Sequence, residues 1–152
     1  MEREYRPMRD EFHVTVGVEA VRRARERVVA AAEHWGVPLS ADALSDVRLC
    51  ASELVANALE HAGGSCLVTV DWVADELRVE VADGCRRPPA VLVAGDELPS
   101  GRGLVLVEAL AGRWGWRMVP GGKVVYFAFA AKRAPLGQRG EPVSASAASY
   151  RR

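Results

Sequence analysis

Several things are scarce in this chain, and each scarcity excludes something. Of 20 basic residues, Lys123 and Lys132 are the two lysines; the rest are arginine, which reads as genomic base composition and not as chemistry. Cysteine is limited to Cys50, Cys66 and Cys85, an odd number with no pair at C-x-x-C spacing. A disulfide framework or a zinc site would need pairs at ligand spacing, so the three read as ordinary thiols of a reducing cytoplasm. No apolar run approaches the roughly 20 residues of a membrane helix, and residues 1–12 carry charge where a signal peptide has its apolar segment. Net charge is also missing: 20 basic residues balance 20 acidic ones. That argues against a protein whose main task is coating nucleic acid or an anionic membrane. What is present is a hydrophobic share of 49% over 152 residues, the composition of one globular domain with a real core.

The neutrality conceals an asymmetry. From Lys132 onward five basic residues face one acidic residue, so residues 1–131 hold 15 basic and 19 acidic ones. The end segment is small, polar and rich in Pro, Gly and Ser, a composition that cannot bury enough apolar surface to offset its ordering entropy. The expected organisation is an arm over 1–11, a folded domain over 12–131 and a disordered basic tail over 132–152. The acidic domain and the unclustered cations make direct nucleic-acid binding a poor expectation.

Phe12–Val16 alternates apolar and polar side chains and predicts a strand. Val18, Val21, Ala24, Val28, Ala31 and Trp35 recur at three and four, the apolar face of a helix ended near Gly36 and Pro38. Ser40 caps a second helix over about 41–62, stopped by Gly63 and Gly64. Strands over Cys66–Val73 and Leu77–Ala82 are joined by a tight turn at Ala74-Asp75-Glu76. Residues 83–101 are punctuated by Gly and Pro and read as a long functional loop or lid. A third helix covers about 102–112. Strands Arg113–Val119 and Lys123–Ala130 are joined at Pro120-Gly121-Gly122, a hairpin signal. Paired strands with helices set apart predict an α+β fold: a mostly antiparallel sheet with three helices on one face.

The second helix has too much polarity on one stripe. At roughly 100° per residue, Asp46, Glu53, Asn57 and His61 fall within about 80° of each other, around Cys50 and beside the buried face. A carboxylate, an amide and an imidazole on successive turns can converge on one bound object, and carboxylate plus amide oxygen suit a hard cation such as Mg²⁺. The plainer reading is a solvated face with i,i+4 contacts. Asp83-Gly84 stands where a strand leaves the sheet. The Asp there can accept a hydrogen bond from a ligand's exocyclic amine, or form an Asx-type turn, the commoner use of Asp-Gly. Gly101-Arg102-Gly103-Leu104 opens the third helix, where glycines let backbone N–H groups approach a phosphate.

In this order, the pieces resemble the GHKL ATPase superfamily, and within it the small anti-sigma-factor serine/threonine kinases. Ser52 to His61 matches the N-box, Asp83 the first glycine box and Gly101 to Val107 the second; the likeness runs from about Phe12 to Phe129. The resemblance implies a Bergerat-type two-layer α/β sandwich, with a mixed, mostly antiparallel sheet, holding ATP between helices and sheet. It implies Asn57 as the Mg²⁺ ligand and Glu53 as the general base that polarises a water or a protein hydroxyl. It implies Asp83, followed by Gly84, as receiver of the adenine amine. Gly101, Arg102, Gly103 and Leu104 would lie at the phosphates, with His61 beside the lid. The implied function is that of an ATP-binding anti-sigma regulatory factor, cytoplasmic and without a membrane segment. It would bind a sigma factor, phosphorylate a serine or threonine of a STAS-type anti-sigma antagonist, and pair with itself as a homodimer.

The chain departs from that pattern on the adenine side. The glycines two and four positions after the Asp of the first box are here Cys85 and Arg87, and Pro88-Pro89 stiffen the loop beyond them. Where relatives carry a hydroxyl on the late strand, this chain has Val124. A partner-binding module of the same fold, with weak or no nucleotide binding and no kinase activity, is therefore the alternative.

Overall fold

The computed structural model describes residues 8–61, 63–89 and 102–131. Within them the order is β1 (Met8–Thr15), α1 (Ala20–His34), α2 (Ala41–His61), β2 (Ser65–Val73), β3 (Glu76–Asp83), α3 (Arg102–Leu110), β4 (Arg113–Val119) and β5 (Gly122–Ala130). The strands form one sheet in the order β1-β2-β3-β5-β4. The mostly antiparallel sheet expected from the sequence is antiparallel at all four pairings. Returning from β3 through α3 and the β4–β5 hairpin inserts β5 beside β3 and leaves β4 at the edge. The result is the α+β two-layer sandwich. The basic tail and most of the lid-like loop fall outside the described residues.

Local chemistry sets the boundaries. Helix α1 ends in a Schellman arrangement: Gly36, at φ 64°, donates to Glu33 O, and Val37 donates to Ala32 O. Ser40 caps α2, its Oγ accepting the Ala43 N–H at 3.1 Å. The β2–β3 turn is shorter than expected. Ala74 and Asp75 both take positive φ, 52° and 59°, and Glu76 already pairs with Val73, a two-residue turn with the twist a hairpin needs. Val119 likewise pairs with Gly122, so Gly122 belongs to β5. Val18 does not belong to the helix face that its spacing suggested: it is 91% exposed. Glu19 takes a left-handed φ of 61° just ahead of Ala20, so the helical period starts after Val18.

Alternation along the strands divides the sheet into two unlike faces. The inner face carries Phe12, Val14, Val68, Val70, Leu77, Val79, Val81, Phe127 and Phe129, packed under Val28 of α1, Val47, Leu54 and Val55 of α2, and Val107 of α3. All four tryptophans join this core, Trp72 and Trp114 buried, Trp35 and Trp116 partly so. The outer face holds ion pairs: Arg9 with Asp71, Arg78 and Arg117 with Glu80, Arg113 with Glu76. There Tyr126 lies across Gly115, and the Arg78 guanidinium sits 3.9 Å from its ring centroid.

Candidate functional site

Helix α2 packs against β2, β3 and β5, the middle of the sheet, so its polar stripe borders the helix–sheet interface. Asp46, Glu53 and Asn57 are half-buried there, and no hydrogen bond or ion pair engages their side chains among the described residues. Cys50, between them, is sealed from solvent. Its thiol is pushed up to about 12, first by burial and then by the negative charges of Asp46 and Glu53. Those two carboxylates therefore share one patch of the helix across two turns. The stripe is a row of oxygen acceptors at the rim of the core, not a solvated face with i,i+4 pairs. His61 stands apart: it is the last residue of α2, half-exposed, and its Nε2 lies 3.9 Å from Glu60.

The second centre lies at the end of β3. The Asp83 side chain is 3% exposed. Its Oδ1 accepts the Cys85 N–H at 2.8 Å, the Asx-type turn that Asp-Gly favours, and also a hydrogen bond from Lys123 Nζ at 3.1 Å. Lys123 is itself buried, with its side chain 7% exposed. Lysine is rarely buried unless it is paired. The register opposes Asp83 to Lys123, and Gly122 makes that approach feasible: a Cβ there would lie 1.8 Å from Asp83 O. On the other side of Asp83, Cys66 has its thiol raised to about 11 by burial and by the Asp83 charge.

In the sequence, Val124 stands where relatives carry a late-strand hydroxyl. Strand parity turns it away from Asp83. Lys123, Val125, Phe127 and Phe129 share the inner face with Asp83, and Val124 points to the outer one. Lys123 is a candidate site residue that sequence reasoning missed. Two signals could have found it: its parity with Phe127 and Phe129, and the rarity of lysine in this chain.

Of the remaining residues, Gly84 follows β3, and Arg102, Gly103 and Leu104 form the first turn of α3. The first backbone N–H groups of a helix have no partner within it, so this turn can face an anion. The Leu104 side chain is core, at 2% exposed, so its contribution to a phosphate would be its N–H alone. Gly101 lies outside the described residues. Among the described residues no group of three or more His, Cys, Asp or Glu could hold a metal by itself. Magnesium bound here would need nucleotide oxygens besides the Asn57 amide oxygen, a donor set that suits an ion held largely by substrate phosphates.

A two-layer sandwich with an acceptor stripe on its central helix and a carboxylate at the sheet end is an arrangement shared with a known class of ATPase domains. The family model of the histidine kinase-like ATPase domain matches residues 14–129. The chain belongs to that family, and through it to the GHKL superfamily. A search of curated proteins finds no match. No helix among the described residues is long and apolar enough to cross a membrane.

Proposed function

We propose that this chain is an ATP-dependent regulatory serine/threonine kinase of the anti-sigma type. It binds a sigma factor and phosphorylates a STAS-type antagonist. The observation that carries the reading is the pair Glu53 and Asn57, one turn apart on α2, half-buried and uncommitted to any described protein group. Phosphoryl transfer depends on positioning and charge neutralisation more than on covalent chemistry. In this reading Glu53 accepts the proton of a serine or threonine hydroxyl as it attacks. Asn57 supplies a neutral amide oxygen, a ligand for the metal that keeps no proton of its own. Magnesium, when bound, offsets the negative charge of the phosphates. The first turn of α3 offers N–H groups to the same phosphates, and Asp83 offers its second carboxylate oxygen to the adenine amine.

The test is transfer of labelled γ-phosphate from Mg-ATP to a STAS-domain antagonist by the full chain. Transfer at a Ser or Thr, lost in Glu53→Ala while ATP binding persists, is the expected result. No transfer to any antagonist by a chain that binds ATP would remove the kinase part. The second reading, a partner-binding module without nucleotide, is favoured by Cys85 and Arg87 in the first glycine box and by the commitment of Asp83 Oδ1 to protein donors. Calorimetry separates the two: micromolar Mg-ATP binding that disappears in Asn57→Ala supports the first.

A further inference from the structure

Across the inner face, at the end of the sheet, one row runs Val14, Cys66, Asp83, Lys123 and Met118: Val14 pairs with Cys66, Asp83 with Lys123 and Lys123 with Met118, and Cys66 and Asp83 each lie one residue beyond the Leu67–Ala82 pair. Asp83 and Lys123 are the charged members of that row, and both are more than nine-tenths buried. An isolated buried ion pair seldom repays its desolvation unless the remaining lone pairs and protons also find partners. This pair is left incomplete. Asp83 Oδ1 has two donors, Cys85 N–H and Lys123 Nζ, while Oδ2 accepts nothing among the described residues. The ammonium has three protons to donate. Among the described residues, one hydrogen bond from it is formed, to Asp83. Side by side there remain one vacant acceptor and a cation with donors to spare. The neighbouring Cys66 thiol, raised to about 11, stays neutral and does not compete for the ammonium at neutral pH.

We infer that Lys123 is a base-recognition residue of the nucleotide site: it donates to a ring nitrogen beside the exocyclic amine that Asp83 accepts. This rests on the proposed function, because it assumes that the adenine amine meets Asp83. An adenine presents a donor at position 6 flanked by acceptors at N1 and N7, which complements a carboxylate oxygen with an ammonium next to it. Guanine presents an acceptor at position 6 and a donor at position 1. That pattern sets oxygen against the carboxylate, and on the N1 edge it also sets N–H against the ammonium. An engaged Oδ1 also cannot take the second amine of guanine, so the pair selects adenine twice over.

The experiment uses the full chain and the Mg²⁺ complexes of ATP, 1-deaza-ATP, 7-deaza-ATP and GTP, with affinities from calorimetry. A hydrogen bond to a charged donor implies that one deaza analogue binds roughly tenfold or more weakly than ATP, and GTP more weakly still. In Lys123→Met the affinity for ATP falls to that of the weakened analogue, which itself does not change. Both deaza analogues binding wild type as tightly as ATP would overturn the inference and leave ATP binding intact. An equal loss for ATP and both analogues in Lys123→Met would also overturn it, since Lys123 would then only hold Asp83 in place. Wild type that binds no ATP at all would sink the proposed function together with it. The wild-type analogue series stands even if the variant folds poorly.

Discussion

The two acidic centres on either side of the helix–sheet interface are built on opposite principles. Asp83 is almost wholly buried, anchored by a backbone N–H, and paired with a buried ammonium. Glu53 and Asn57 are half-open and engaged by no described side chain. The first centre is preorganised: its cation is supplied by the protein, and the sheet register fixes the pair. The second is a set of acceptors whose neutralising charge must come from elsewhere. The proposed function, recognition of a constant base and handling of a charged, departing phosphate, would use this division. A permanent cation beside Glu53 would depress the basicity that proton abstraction requires, whereas a permanent cation beside Asp83 fixes the polarity of recognition.

The largest expected effect lies at the open centre and concerns rate. Glu53→Gln should lower phosphoryl transfer by about 10²–10⁴-fold, the usual contribution of a positioned base, with Mg-ATP affinity little changed. Single-turnover transfer to the antagonist, measured beside nucleotide affinity, checks both halves. The comparison breaks if affinity and rate fall together.

The preorganised centre should show the opposite profile, a loss of stability. Removing one member of a buried pair leaves an uncompensated charge and typically costs about 3–5 kcal/mol. Asp83→Leu should therefore lower the urea midpoint strongly, and adding Lys123→Met should restore most of the loss. Glu53→Gln should change stability by under about 0.5 kcal/mol, because no described partner is lost. Equal stability losses at the two centres would erase the distinction between them.

The two deep thiols give a smaller, pH-dependent contrast. Cys50 and Cys66 have folded-state values near 12 and 11, raised from 9.0. The unfolded chain loses these protons first as pH rises, so the stability linked to them is complete below pH 9 and declines between about 9 and 12. Denaturant midpoints across that range should fall for wild type and fall less for Cys50→Ala, whose removed thiol sits under Asp46 and Glu53. An unchanged alkaline slope in Cys50→Ala would place the titration elsewhere. Native alkylation at neutral pH should spare both residues relative to the partly exposed Cys85.

Much of this is legible in the chain because it depends on local periodicity. The eight elements, the Ser40 cap, the Gly36 stop and the stripe on α2 all come from spacing and from cap and turn chemistry. So does Asp83 at the end of its strand. Two expectations fail for a common reason: each position depends on a partner that its local spacing does not contain. Val18 fits a helical spacing, but the left-handed Glu19 sets the helix start after it. Val124 fits a motif offset, but pairing with β3 decides which β5 side chains face Asp83, and that pairing joins residues about 40 apart in sequence. The burial of Lys123 is equally hidden, because an isolated lysine reads as surface until its carboxylate is located.

The smallest prediction separates the motif from the chemistry within α2 itself. Ser52 stands next to Glu53, yet its Oγ is buried without a hydrogen-bond partner among the described residues. A buried hydroxyl without a partner costs free energy, and alanine is the better helix former at an interior position. Ser52→Ala should therefore raise stability by about 0.5–1 kcal/mol, read as a higher denaturant midpoint with an unchanged slope. Nucleotide affinity and phosphoryl transfer should stay as in wild type, because the side chain lies about 100° around the helix from Glu53 and off the acceptor stripe. A drop in transfer in this variant would mean that the hydroxyl finds its partner when the site is loaded. The open centre would then extend one residue further than the half-buried stripe.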